Sequence, residues 1–282
     1  MNTERIKEYY KETQFEYRIV WNWKTKSIPA LHFGFYDENA TTHQKALVRA
    51  NEALAEWAGI PNGARIIDAG CGLGHSAAWL AQRYNARVTG ITIAPNQAEG
   101  ATKRIAKAGV RNVDFLVANY LEMPFEDNSA DVVWAFESVC YATDKSAFYK
   151  EAFRVLKPGG LLVMAEYIRC SRPLSVDNEK LLKEVFGGWM VEDLDTIEEH
   201  RSHCSKAGFE TLGYRNVTEN VMISYKNLEE AGRRFYWLAW LLHKTRIISR
   251  LRFQNMRYSM KQLQCIKNGV FFYAHLAARK PE

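Results

Sequence analysis

A mixed α/β fold built on a mostly parallel, seven-stranded sheet is predicted by three observations. Short β-branched segments alternate with helical stretches between residues 61 and 216. The first of these segments ends in an acid followed by three alternate glycines. A Lys157-Pro158-Gly159-Gly160 run separates a helical pattern from the fifth segment.

The elements follow in order. Residues 1–60 are helical in pattern and rich in aromatics, as expected of an N-terminal helical cap. Strands are then expected at Arg65–Ala69, Arg87–Ile91, Val113–Val117, Val132–Phe136 and Leu161–Tyr167. Helices are expected at Ser76–Tyr84, Asn96–Ala108 and Ser146–Leu156. Strands spaced by helices of this length make right-handed βαβ units and a parallel sheet. Proline stops the third helix and the glycines reverse the chain, so Lys157–Gly160 reads as the turn into the fifth strand. A helix around Asp193–Ala207 leads to a strand near Glu210–Arg215, and a last strand falls at Val270–Ala277. Some fifty residues separate these two strands, too many for a structureless hairpin loop. Leu228–Cys265 is therefore expected to be a helical insertion, packed as a lid over the site. The chain divides into a cap (1–60), a ligand-binding core (61–216) and a block holding the insertion and the final strand (217–282).

Composition narrows the function classes. The 282 residues are 47% hydrophobic, enough for a sizeable core. Five cysteines (Cys71, Cys140, Cys170, Cys204, Cys265) lack C-x-x-C spacing, so neither a zinc site nor a disulfide framework is indicated. The charged start, Met1 to Tyr10, does not read as a signal peptide, and no apolar run approaches the roughly 20 residues of a spanning helix. A cytoplasmic protein, peripheral to a membrane at most, is expected. The net charge of +6 is modest.

The glycine turn carries the chemistry. In Asp68-Ala69-Gly70-Cys71-Gly72-Leu73-Gly74 the glycines permit a sharp reversal and a close approach by a ligand. The N–H groups opening the next helix favour an electronegative group such as a carboxylate. A nicotinamide-binding turn would have G-x-G-x-x-G spacing. The G-x-G-x-G spacing here, with an acid two residues ahead, resembles motif I of the class I S-adenosylmethionine (SAM) methyltransferases. L-K-P-G-G at 156–160 is a further feature of that family. The resemblance implies a Rossmann-like fold with an antiparallel edge strand, and SAM as cofactor.

It also implies site residues. Asp68, Gly70, Gly72 and Gly74 would hold the methionine part of SAM. Gly90-Ile91-Thr92-Ile93-Ala94-Pro95-Asn96-Gln97 resembles the G-I-T-L-S-x-x-Q variant of sterol, tocopherol and cyclopropane-fatty-acid enzymes, giving Thr92 and Gln97 the ribose hydroxyls. Asn119, followed by Tyr120, stands where the family binds the adenine amino group. Pro124, Phe125 and Asp131 read as structure, closing the turn before the fourth strand.

Glu137, Cys140 and Ala142 match the sterol C-methyltransferase pattern E-A-T-C-H-A, with Tyr141 in place of its histidine. Methylating an alkene carbon leaves a carbocation that must lose a proton, so a carboxylate can stabilise the cation and act as base. Glu137 is the candidate; the alternatives are a contact with SAM or a cap on the next helix. In the cap block, Trp21 and Ser27–Tyr36 share the skeleton W…S-x-H-F-G with the sterol and tocopherol enzymes. Aromatic faces there attract sulfonium and carbocation charge or line an apolar pocket. His32 and Tyr36 are the preferred contacts near the methyl group.

Between Ala231 and Lys261 lie Arg233, Arg234, Lys244, Arg246, Arg250, Arg252, Arg257 and Lys261, interleaved with aromatics and without an acid. Such a stretch suits a membrane surface, an acidic partner, or an anionic acceptor with an apolar tail such as a prenyl diphosphate. Nucleic acid is disfavoured, since no binding module is recognised. No metal cluster is visible, and a homo-oligomer is compatible with the sequence. The leading expectation is methyl transfer to carbon of a terpenoid or prenyl-type acceptor. Its rivals are O- or N-methylation of a natural product, sugar or amine, and a SAM-binding protein without turnover.

Overall fold

The computed structural model describes residues 3–16 and 28–282. Its helices are α1 (Thr3–Glu16), α2 (His43–Ala58), α3 (His75–Tyr84), α4 (Pro95–Ala108), α5 (Lys145–Val155), α6 (Val176–Gly187), α7 (Ile197–Ala207), α8 (Thr218–Lys244), α9 (Arg250–Ser259) and α10 (Gln262–Lys267). Its strands are β1 (Arg65–Ala69), β2 (Arg87–Thr92), β3 (Val113–Val117), β4 (Ala130–Phe136), β5 (Leu156–Arg169), β6 (Gly213–Asn216) and β7 (Phe271–Arg279). They pair in the order β3-β2-β1-β4-β5-β7-β6. The first five run parallel, and β7 is antiparallel to both neighbours. The fold is the mostly parallel seven-stranded sheet that the sequence predicts, with antiparallel pairing at one edge; β7 lies one strand in and β6 is outermost.

Alternation along β1 feeds two cores. Ile66 faces a cluster with Leu54 of α2, Leu80 of α3, Trp134 of β4, Phe186 of α6, Tyr225 of α8 and Tyr273 of β7. Ile67 faces the other side, with Phe148 and Ala152 of α5 and Cys204 of α7. The first cluster joins all three sequence blocks, so cap, core and late segment bury surface together. Each fully buried side chain of this size contributes about 1.5–3 kcal/mol.

Local chemistry sets the helix ends. Thr42 and Asp144 cap α2 and α5 through their side chains, a contribution of about 1 kcal/mol each. Helix α7 begins at Ile197, four residues later than the sequence suggests, because Thr196 and Glu199 form a capping box there. Asp193 instead pairs with Arg169 and Arg172. Helix α6, which the sequence does not announce, starts on the Ser175 cap and is tied to the end of β5 by the pair of buried Arg169 with half-buried Glu179.

The Lys157–Gly160 segment differs from its expected role as a turn before the fifth strand. Strand β5 already pairs at Leu156 with Ala130, and the register jumps so that Leu161 meets Val132. The intervening residues bulge, and Gly159 N–H bonds the Lys280 carbonyl (3.0 Å) while Lys280 N–H bonds that of Gly160 (2.9 Å). No helix among the described residues is long and apolar enough to cross a membrane.

Candidate active site

The carboxyl ends of β1, β2 and β4 border a cleft of about 770 Å³, open to solvent. Ligands bind at such ends in open parallel sheets. Gly70, Gly72 and Gly74 take φ values of 93°, 51° and 85°. A Cβ on Gly70 would lie 2.4 Å from that of Ser138, so the turn needs glycine for space as well as conformation. Ser138 is drawn in because its hydroxyl donates to the Ala69 carbonyl (2.6 Å).

Asp68 lines this cleft, and its Oδ2 is buried without a hydrogen-bond partner. Burial pushes its carboxyl up to about 7, against the opposing effect of the Ala77 N–H. An orphaned carboxylate oxygen beside a glycine cradle fits the ammonium-bearing methionine end of SAM. Thr92 and Gln97 line the same cleft. The Thr92 hydroxyl donates to Gln97 Oε1 (2.8 Å), so Thr92 orients Gln97. Tyr120 also lines it, held by its hydroxyl on the Ser138 carbonyl (2.9 Å). Asn119 is not among the lining residues; its Oδ1 accepts from Leu121 N–H (3.0 Å), the local turn that an Asn side chain favours.

A second cavity, of about 960 Å³, adjoins the first. Leu31, Phe33, Cys140, Tyr167 and Trp189 line it from the sheet side; Leu228, Ala231, Gly232 and Phe235 of α8 and Asn255, Met256 and Ser259 of α9 roof it. Tyr10, Leu31, His32, Glu137 and Tyr141 line both cavities and form their common wall. Among the described residues, no lysine or arginine lines the second cavity. Helical periodicity turns Arg233, Arg234 and Lys244 outward instead.

Glu137 is held from three directions. Its Oε1 accepts from Phe33 N–H (2.8 Å) and the Tyr273 hydroxyl (2.6 Å), and its Oε2 from the Tyr167 hydroxyl (2.5 Å). The residue follows β4 at φ 51°, a conformation that strains any residue but glycine. Burial pushes its carboxyl up to about 7, opposed by the tyrosines and the Phe33 N–H. Glu166, also buried, caps the turn behind it, accepting from Ser138 N–H (2.8 Å) and Val139 N–H (2.7 Å), and is pushed up to about 8 by burial.

His32 lies against the Phe136 ring, with centroids 4.3 Å apart. Its Nδ1 sits 2.9 Å from the Phe33 carbonyl, which can only accept, so neutral His32 carries its proton there. Its Nε2 then accepts, with His75 Nδ1 at 3.2 Å and Asn51 Nδ2 at 3.3 Å. Burial lowers His32 to about 4 and His75 to about 3, leaving both neutral near pH 7.

Tyr36 is placed elsewhere than the sequence suggests. It lines neither cavity, and its hydroxyl meets His43 Nδ1 (3.2 Å) and Asn227 Nδ2 (3.3 Å), fastening the cap to α8. Trp21 and Ser27 lie outside the described residues. Tyr167, Tyr273, Glu166 and His75 were not singled out from the sequence. The first three look like core strand residues until the register of β5 and β7 is known; the signal available was their place at the ligand-binding end of the sheet.

A family model described as "Methyltransferase domain" matches residues 67–164. The chain is 34% identical over 203 residues to 27-O-demethylrifamycin SV methyltransferase of Amycolatopsis mediterranei (strain S699), covering 71% of this chain and 74% of that protein. It is 32% identical over 201 residues to 24-methylenesterol C-methyltransferase 3 of Arabidopsis thaliana, covering 68% of this chain but only 55% of that one. Among solved structures, the mycolic acid cyclopropane synthase CmaA1, complexed with SAH and CTAB, superposes with a TM-score of 0.85 over 99% of both chains at 16% identity, a likeness of fold. With the glycine cradle and the Asp68 site in place, these matches lead to one conclusion: the chain belongs to the class I methyltransferases and is a SAM-dependent enzyme.

Proposed function

We propose that the enzyme methylates a carbon of a large, mostly apolar small molecule of terpenoid or prenyl type, with Glu137 serving the cation that results. The observation that carries this reading is the second cavity: a space of about 960 Å³ together with its open mouth, lined mainly by apolar side chains, and meeting the cofactor cleft at Glu137. Bound SAM supplies an electrophilic methyl group. Asp68, Gln97 and the glycine turn hold the cofactor, and Tyr120 and His32 shape the wall beside it. As the acceptor's π electrons form the new C–CH₃ bond, the methyl group's bond to sulfur breaks and S-adenosylhomocysteine is left; the other alkene carbon becomes cationic, and a proton must then leave a carbon next to that cation. An ionised Glu137 stabilises that charge in a water-poor pocket and accepts the proton, directly or through water. Its position near 7 suits a base working at neutral pH.

Labelled SAM with a panel of sterol, prenyl and terpenoid acceptors, followed by mass spectrometry of the product, tests the reading. A C-methylated product from wild type, lost in Glu137→Gln while S-adenosylhomocysteine still binds, is expected. Turnover only on oxygen or nitrogen of polar acceptors would overturn it. O-methylation is the second reading, favoured by the rifamycin-directed relative. Cofactor binding without turnover on any acceptor would favour the non-catalytic alternative.

A further inference from the structure

Helix α8 presents three faces. Val221, Ser224, Tyr225 and Gly232 are buried in the body of the protein. Leu228, Ala231, Gly232 and Phe235 line the acceptor cavity. The third face carries Trp237 (73% exposed), Leu238 (55%) and Leu241 (52%), spaced i, i+1, i+4 on one side of the helix, with Ile247 (68%) in the turn beyond. Single exposed apolar residues are ordinary, but a contiguous group including a tryptophan marks an interaction site. Arg233, Arg234, Lys244, Arg246 and Arg250 are exposed around this group, and no acid occurs between residues 231 and 261.

We infer that this face of α8 and the turn after it form a docking surface for an anionic lipid bilayer. A tryptophan and leucines flanked by Arg234, Lys244, Arg246 and Arg250, with Arg233 paired to Glu229, suit the interface between headgroups and acyl chains. A second copy of the chain fits less well, since a two-fold contact would set these cations against themselves. Phe235, which lines the acceptor cavity, is one turn from Leu238 of this face, so docking here brings that cavity to the bilayer from which an apolar molecule would enter. The surface stands independently of which atom is methylated.

Sedimentation of the full chain with phosphatidylcholine vesicles, with and without phosphatidylserine, tests this. Wild type should sediment with the phosphatidylserine vesicles and be released by salt. Trp237→Ser/Leu238→Ser/Leu241→Ser should abolish sedimentation. Arg234→Gln/Lys244→Gln should weaken it about 30-fold. Unchanged S-adenosylhomocysteine binding and thermal midpoint show that both variants fold. Failure of wild type to sediment, or sedimentation of the triple variant like wild type, overturns the inference. So does a wild-type dimer in light scattering that the triple variant dissolves, which would make the face an interface between copies.

Discussion

Tyr167 on β5 and Tyr273 on β7 are register partners across an antiparallel ladder, and their hydroxyls donate to opposite oxygens of one carboxylate, that of Glu137. The rings meet edge to face, with centroids 5.5 Å apart, so each tyrosine also packs the other. An antiparallel strand inserted beside a parallel one thus positions the acid at the meeting point of the two cavities.

Removing either hydroxyl should leave Glu137 less able to hold negative charge. Hydrogen bonds to charged groups contribute about 1.5–3 kcal/mol, so Tyr167→Phe and Tyr273→Phe should each lower kcat by roughly 10- to 100-fold. The acid limb of the pH–rate profile should move upward, because an ionised carboxylate has lost a donor. Unchanged S-adenosylhomocysteine affinity would separate this effect from damage to the cofactor cleft. A pH profile identical to wild type would remove Glu137 ionisation from the rate.

Cofactor affinity should depend on pH through Asp68. Below its value of about 7 the carboxyl is protonated and cannot pair with an ammonium; above it the charge is present. Affinity for S-adenosylhomocysteine should therefore rise with pH through 7, by at most about tenfold per unit on the acid side. Calorimetric titration of Asp68→Asn should show weaker binding, by roughly 30-fold, and a nearly flat pH dependence. A variant that keeps the wild-type slope would place the titrating group elsewhere.

Two glycines of the same turn should differ. Gly70→Ala must clear Ser138 at 2.4 Å and adopt a left-handed conformation, at a cost of about 3 kcal/mol. Gly72→Ala meets only the end of the Leu31 side chain at 3.0 Å and should cost about 1 kcal/mol, mainly for its φ of 51°. Thermal melts should show the first variant well below the second; equal midpoints would refute the close packing of Ser138 on the turn.

Arg169 is buried, with Asp193 on its Nη1 at 2.8 Å and Glu179 on its Nη2. Arg169→Met should destabilise by about 1–3 kcal/mol, since it leaves the half-buried Glu179 without its cation while Asp193 keeps Arg172. Denaturant unfolding measures this, and a loss below about 1 kcal/mol would show that Glu179 is satisfied without Arg169.

The strands were legible because β-branched runs such as Arg65–Ala69 and Val113–Val117 are bounded by clear turn residues, and both appear with those limits. Helix α6 was not read, although Ser175 caps it. Its identity depends on Arg169 reaching across from β5. The lining of the cleft at the strand ends was legible for the same local reason: its glycines, Asp68, Thr92 and Gln97 lie in short motifs there. Glu137 could be named from its motif, but its partners could not. Phe33, Tyr167 and Tyr273 reach it from the cap and from two strands over a hundred residues apart, and only the β5–β7 register joins them. The placement of Tyr36 was not legible because an aromatic near a motif carries no sign of which way it faces, and here it faces α8.

The bond from Phe33 N–H to Glu137 has a consequence of its own. Its donor belongs to the main chain of the cap, so on the donor side only a proline at 33 could delete it by a single coded change. Lifting that segment would withdraw a donor from the acid at the same moment that it opens the shared wall to water. The protonation of Glu137 is thereby coupled to the seating of the cap, since one of its three donors is supplied by the cap's own main chain.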